Sequence, residues 1–224
     1  MSATTKSLAW LGLATGALAV TALAVAQPAE RSKDRKRSNM RQHKEMESKA
    51  PGMEEMMAVW MKYATPGKRH ALLDPTVGVF DAKIKMWMDP SASEPEVSTG
   101  VMMSKWILGG RFIESHYKST FMGAPFEGLN ILGYDNYTKM YESSWRDTFG
   151  TMTYKTTGTV DPTGKVFTFH GVMQDPAQGG ALIKTLDVTT VIDQDHYVFV
   201  SHHSMPDGSM MKIMEISYTR KNKS

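Results

Sequence analysis

The 224-residue chain predicts an all-β fold: an antiparallel up-and-down barrel of about ten strands behind a short N-terminal helix. Three observations carry that expectation. From Val77 onward apolar and polar residues alternate at period two, the pattern of half-buried strands. Turn signals separate these runs at short intervals, among them Asp89-Pro90 to Pro95, Gly109-Gly110, Gly123 to Pro125, Asp135-Asn136, Asp161-Pro162-Thr163-Gly164, Asp175 to Gly180, Asp193 to Asp195 and Pro206-Asp207-Gly208. No long helical pattern interrupts the series, so each turn joins immediate neighbours, whereas a sandwich usually needs longer Greek-key crossings. A meander of about ten short strands curls until its edges meet.

The elements follow in order. After Lys6 the stretch Leu8 to Ala26 runs 19 residues without a charge and ends in Ala24-Val25-Ala26 before Gln27-Pro28, the small-x-small form of a signal-peptidase site. Residues 1–26 are therefore expected to be a signal peptide, and the protein to be exported to the periplasm or beyond. The alternative is an uncleaved membrane anchor, since the run just reaches the roughly 20 residues that span a bilayer. Its Ala, Gly and Thr content favours cleavage, while Arg31, Lys33, Arg35, Lys36, Arg37 and Arg41, following at once, resist transfer. Residues 27–50 read as a charged flexible linker, with eight Lys and Arg against four acidic residues and no periodic apolar face. Basic runs of this kind can touch anionic lipid headgroups or nucleic acid, but the four acidic residues dilute them, which leaves weak membrane-surface contact through residues 31–49 as the expected further role.

Pro51-Gly52 closes the linker, and residues 51–66 then read as an amphipathic helix, with Met53, Met56, Met57, Trp60 and Met61 recurring at spacings of three and four. Soft thioethers can hold Cu(I), but a Met stripe at helical spacing is first a packing surface. A helical turn from His70 to Leu73 leads into Asp74-Pro75, and residues 70–221 form the barrel domain. In its first strand Phe80, Ala82, Ile84, Met86 and Met88 share one face, with Asp81, Lys83 and Lys85 on the other.

Composition removes several chemistries. Without cysteine there is no disulfide framework, thiolate metal site or cysteine nucleophile. The net charge of +3 is too small to argue for nucleic acid, and none is expected as a partner. The chain lacks HExxH, GxSxG and P-loop motifs, and the bare SxxK spacing of Ser115 to Lys118 and Ser209 to Lys212 comes without the companion motifs of an acylating serine, so it reads as a non-enzyme with no cofactor. The unusual count is 19 Met.

Several runs carry a resemblance: LGGRF (108–112), MGAPFEGLNILGYDN (122–136), Trp145-Arg146-Asp147, PDG (206–208) and the terminal MEISYTRK (214–221). In combination, over about residues 53–221, they resemble the bacterial family called domain of unknown function 1579. The resemblance implies a calycin-like barrel, the broad architecture of lipocalins, with no assigned activity. Where that family often has Gly-x-Trp in the first strand, this chain has Gly78-Val79-Phe80, a smaller aromatic.

Alternation also nominates the interior. It points Arg111, Ile113, Ser115, Tyr117, Ser119 and Phe121 inward and sends Glu114, His116 and Lys118 to water. Tyr141, Ser143, Trp145, Asp147 and Phe149 form a second inward face, joined by Met152, Tyr154, Phe167 and Phe169. An aromatic interior with few polar members suits a small hydrophobic ligand with one polar end, and Arg111, Tyr117, Phe121, Trp145, Asp147 and Tyr154 are the candidate ligand-binding residues. The same pattern describes a filled core in which Arg111 pairs with Asp147 near a barrel mouth. One of the adjacent His202 and His203 must face inward, where it would be able to ligate haem iron or copper with Met205, Met210 or Met211 nearby. Three classes stay open: a hydrophobic-ligand binder, a haem or metal protein, and a structural or stress-linked envelope protein with a filled barrel.

Overall fold

The computed structural model describes residues 28–47, 51–87, 94–175 and 179–221, and the expected signal peptide lies outside them. The chain divides at Gly52 into two units. In the first, helix α1 spans Pro28–Glu47, where charge alone predicts a linker. Proline is tolerated in the first turn because its missing N–H has no helical partner there. No glycine or proline follows within the helix, and the Lys, Arg, Gln, Glu and Met that dominate it lose little rotamer freedom in this conformation. Residues 32–43 are all exposed, in keeping with the lack of an apolar face.

The second unit opens with α2, Met53–Ala64, which carries Glu54 and Glu55 in its first turn and Lys62 in its last, complementing the helix dipole. A one-turn helix α3, Lys68–Ala71, and a 3₁₀ turn, Asp74–Thr76, lead into ten strands: β1 Gly78–Met86, β2 Glu96–Ile107, β3 Phe112–Phe121, β4 Ala124–Asp135, β5 Met140–Asp147, β6 Tyr154–Val160, β7 Val166–Asp175, β8 Ala181–Val191, β9 His196–Ser204 and β10 Met210–Arg220. Each pairs antiparallel with its chain neighbour, and β10 closes onto β1 to complete a barrel. Phe80 stands opposite Arg220 at the seam, and Ile84 opposite Ile216. The guanidinium carbon of Arg220 lies 4.5 Å from the centre of the Phe80 ring, the cation–π contact that this register makes geometrically natural.

Alternation is visible in burial. Phe80, Ala82 and Ile84 are buried while Asp81 and Lys83 are exposed, and Ile113, Ser115 and Tyr117 are buried between exposed His116 and Lys118. Two apolar clusters line the inside. One gathers Phe80, Ala82, Ile84, Met102, Tyr117, Tyr197, Ile216 and Tyr218. The other joins Leu73 to Ile113, Tyr141, Phe167, Phe169 and Val191.

Leu73 belongs to the segment that seals one end. It is 1% exposed, and the neighbouring His70 is 4% exposed. Trp106 Nε1 donates to Asp74 at 2.9 Å and Tyr141 Oη donates to the Arg69 carbonyl at 2.8 Å, tying the cap to β2 and β5. Burial pushes the Tyr141 phenol up to about 12. His70 Nδ1 accepts the Gly67 N–H at 3.1 Å, and burial lowers the imidazole below its usual value. A histidine with a depressed folded pKa binds fewer protons folded than unfolded, so its contribution is present above about pH 6.5 and is lost as pH falls. Melting temperature is therefore expected to decline on acidification below that point. In His70→Asn, which keeps an acceptor near Nδ1, the decline should be shallower; an identical acid limb in both proteins would remove His70 as the cause.

Candidate ligand site at the far end of the barrel

Five aromatic rings meet at the end opposite the cap, where β3, β4 and β5 reach the β3–β4 turn. Tyr117 packs on Phe126 at 5.9 Å and on Trp145 at 6.4 Å, and Phe121, Phe126 and Phe149 are mutually in contact at 5.1 to 6.4 Å. The geometry depends on a glycine. A Cβ on Gly128 would sit 2.1 Å from the Trp145 ring, so the indole packs directly against the bare backbone of the neighbouring strand. Trp145 Nε1 donates to one oxygen of Asp147 at 2.7 Å, and the other oxygen accepts the Phe149 N–H at 2.9 Å. Asp147 thus fixes both the indole and the turn that carries Phe149.

Beside these rings lies a buried polar cluster from β6, β8 and β9. Asp187 is 4% exposed, and its two oxygens accept from Ser201 Oγ at 2.6 Å and Tyr154 Oη at 2.7 Å. Tyr154 has one proton and gives it to Asp187, so the contact between Tyr154 and Thr185 has the Thr185 hydroxyl as donor. Burial raises the Asp187 carboxyl above the ordinary carboxylate range, and burial, with the Asp187 charge next, raises the Tyr154 phenol. His203 shares the inward face with Ser201 and stands opposite Thr185 on β8 and Met211 on β10. Burial lowers its pKa, against the opposing pull of Asp187 and Asp175. His202 takes the outer face, with Nδ1 3.3 Å from the Leu186 carbonyl. Among the described residues no group of three His, Asp or Glu side chains converges as a metal site requires.

Of the six candidate residues, Tyr117, Phe121, Trp145, Asp147 and Tyr154 gather at this end. Arg111 does not. It sits in the β2–β3 turn at the capped end, where its Nη1 donates to the Leu108 carbonyl at 3.0 Å. Asp147 stands opposite Gly128 at the other end of β4, so the expected Arg111–Asp147 pair does not form. The period-two alternation does not extend back to Arg111: Gly109 and Gly110, at φ 65° and 82°, turn the chain just before it and break the pattern. Phe149 and Met152 also lie beyond the end of β5, 55% and 40% exposed, as rim residues instead of interior ones.

Residues 65–220 match the model of the family described as "Protein of unknown function (DUF1579)". The chain belongs to that family. No curated protein matches it. The crystal structure of Rv2717c from M. tuberculosis, 13% identical, covers 70% of this chain and 100% of its own with a TM-score of 0.50, a likeness of fold. A redesigned β-barrel, b11L5F_LGL, is 12% identical over 69% of this chain and 96% of its own, with a TM-score of 0.36. Another redesigned barrel, mFAP0, bound to DFHBI, is 12% identical over 65% of this chain and 99% of its own, with a TM-score of 0.34. Phe80, in place of the tryptophan frequent in DUF1579 first strands, is fully buried and edge-on to Tyr197 at 5.0 Å.

Proposed function

We propose that this DUF1579 barrel is an exported protein that binds a small, mostly apolar molecule at the far end. The observation that carries the reading is the asymmetry of the two ends. One is closed by Leu73 and His70, while at the other aromatic rings grade from buried Tyr117 through half-buried Trp145 to exposed Phe149. Apolar walls with a few convergent polar groups are the usual composition of a small-molecule site. The polar groups here are Asp147, Tyr154, Thr185 and Asp187, and Arg111 is at the wrong end to hold a carboxylate. The ligand class is therefore a neutral amphiphile, and a fatty-acid anion would meet two aspartates.

Nile red, an uncharged fluorophore, is expected to bind saturably with micromolar affinity and to quench tryptophan emission. Phe149→Ala, which removes an exposed ring at little cost to stability, should weaken binding about tenfold. A fluorescent fatty acid should bind more weakly than the neutral probe. No saturable uptake of Nile red would instead favour a filled, structural barrel. Haemin provides the remaining contrast: a Soret band lost in His203→Ala and kept in His202→Ala would transfer the reading to a haem protein. Export predicts a mature N-terminus at Gln27, read by N-terminal sequencing, whereas intact chain in the membrane fraction would favour the anchor.

A further inference from the structure

We propose that α2 docks the protein on an anionic lipid surface. Its Met stripe, which the sequence marks as packing surface, is largely uncovered: no residue of the helix is buried, and of the stripe only Met56 is half-buried. Met53, Trp60, Met61 and Met57 are 70%, 62%, 55% and 45% exposed, and their spacing places them on one face, with Glu55 and Lys62 on the opposite one. Large side chains stacked on one helix face are unlike the single apolar residues that any surface carries.

The helix is held in this orientation. Asn136 Nδ2, in the turn after β4, donates to the carbonyls of Tyr63 at 2.9 Å and Thr65 at 2.8 Å. The Tyr63 ring stands edge-on to Tyr137 at 5.3 Å. These contacts satisfy the carbonyls at the C-terminal end of α2 and fix its last turn to the β4–β5 hairpin, while Met53, Met57, Trp60 and Met61 remain exposed.

Size and charge decide what covers the face. A twelve-residue helix is about 18 Å long and about 10 Å wide, so pairing with a second copy would cover a few hundred Å², well below the roughly 800 Å² per partner of a stable interface. A bilayer has no such minimum, because Trp and Met need only reach the headgroup boundary. The segment just before α2 in the chain supplies the matching charge. Residues 27–50 carry eight Lys and Arg against four acidic residues, and residues 32–43 are exposed along α1. Beyond α2, Lys68 and Arg69 are exposed as well. One apolar face and a polybasic segment are the two signals that together make peripheral attachment stable.

The test uses the chain from Gln27, so that the apolar leader makes no contribution; the whole barrel and α2 lie in the compact unit Met53–Ser224, which removal of residues 1–26 leaves complete. Co-sedimentation with vesicles of one part phosphatidylglycerol to three parts phosphatidylcholine should show binding, with little to pure phosphatidylcholine. Trp60→Glu should weaken association at least tenfold with an unchanged melting temperature, since the residue it replaces is exposed. Reversing Arg35, Lys36 and Arg37 to Glu should weaken it too and flatten its salt dependence. Failure of the wild-type chain to bind anionic vesicles would overturn the proposal, as would equal binding by Trp60→Glu, which would leave a purely electrostatic contact through α1. A dimer in light scattering that Trp60→Glu dissociates would assign the face to a second copy instead.

Discussion

Arg220→Ala is expected to lower the unfolding free energy of the barrel by about 3–5 kcal/mol, measured by denaturant titration. Its guanidinium carries the closure of the seam. Nη1 donates to the Val77 carbonyl at 2.7 Å, Nη2 to the carbonyls of Pro75 at 3.0 Å and Gln194 at 2.7 Å, and Nε to Gln194 at 3.0 Å. One side chain from the last strand therefore holds the chain entering β1 and the turn between β8 and β9, while its plane covers Phe80. Truncation leaves three carbonyls without their donors and removes a cation–π contact of about 0.5–2 kcal/mol. The Asp195 ion pair adds little, because that carboxylate is 62% exposed. Arg220→Lys should recover less than half of the loss, since an ammonium cannot span three diverging acceptors from one plane. Gly78 is part of the same arrangement: a Cβ there would stand 2.2 Å from Nη1. A loss below about 1 kcal/mol would mean that backbone pairing of β1 with β10 closes the barrel unaided.

The closed barrel was legible because the information it needs is local. Alternation in Phe80, Ala82 and Ile84, or in Ile113, Ser115 and Tyr117, reports one wall at a time, and Gly109-Gly110 and Gly123, all at positive φ, report where the walls turn. The match of β10 with β1 then follows from topology, since an up-and-down sheet of ten strands leaves only those two edges. The N-terminal segment was less legible. Charge without an apolar face describes a solvated chain, yet the same Lys, Arg and Glu are good helix formers, and polarity does not separate a linker from the exposed helix Pro28–Glu47. Nor does a Met stripe tell whether it will be covered, because periodicity fixes which residues share a face and is silent on what lies against it.

The candidate site was half legible for a related reason. Tyr117, Trp145 and Tyr154 are large inward residues, conspicuous by type and parity. Asp187 belongs to no motif that marks it, although its parity places it in line with Ile183, Thr185 and Val191, all buried. An acidic residue on the apolar parity of a strand is the available signal, and it gains force only when the hydroxyls that satisfy it are known. Those come from Ser201, 14 residues away, and Tyr154, 33 residues away, across β8–β9 and β6–β8. Arg111 misled because one basic and one acidic residue of matching parity invite pairing, whereas strand register places them at opposite ends.

Asp187 is also the residue whose loss should reach both stability and the site. Asp187→Ala removes the acceptor for Ser201 and Tyr154 and leaves a small void, an expected loss of about 2–4 kcal/mol. Asp187→Asn separates charge from shape. The wild-type carboxyl has a folded pKa above its unfolded value of about 3.9, so between those two values the folded chain keeps a proton that the unfolded chain has released. Stability then falls as pH rises through that window, and the full penalty remains once the carboxylate is ionised. Protonated Asp187 would be able to donate to Tyr154, which would turn its own proton toward Thr185, so the hydroxyl chain accommodates either state by reversing direction. Asparagine does not titrate, and its amide can still accept from one hydroxyl and donate to the other. The difference in unfolding free energy between wild type and Asp187→Asn should therefore narrow or change sign as pH rises from about 4 to 8. A difference constant across that range would show that Asp187 keeps its ordinary carboxylate pKa despite burial. In the same variants, equal Nile red affinity for wild type and Asp187→Asn would restrict the carboxylate to a structural role and leave Trp145, Phe126 and Phe149 as the recognition surface.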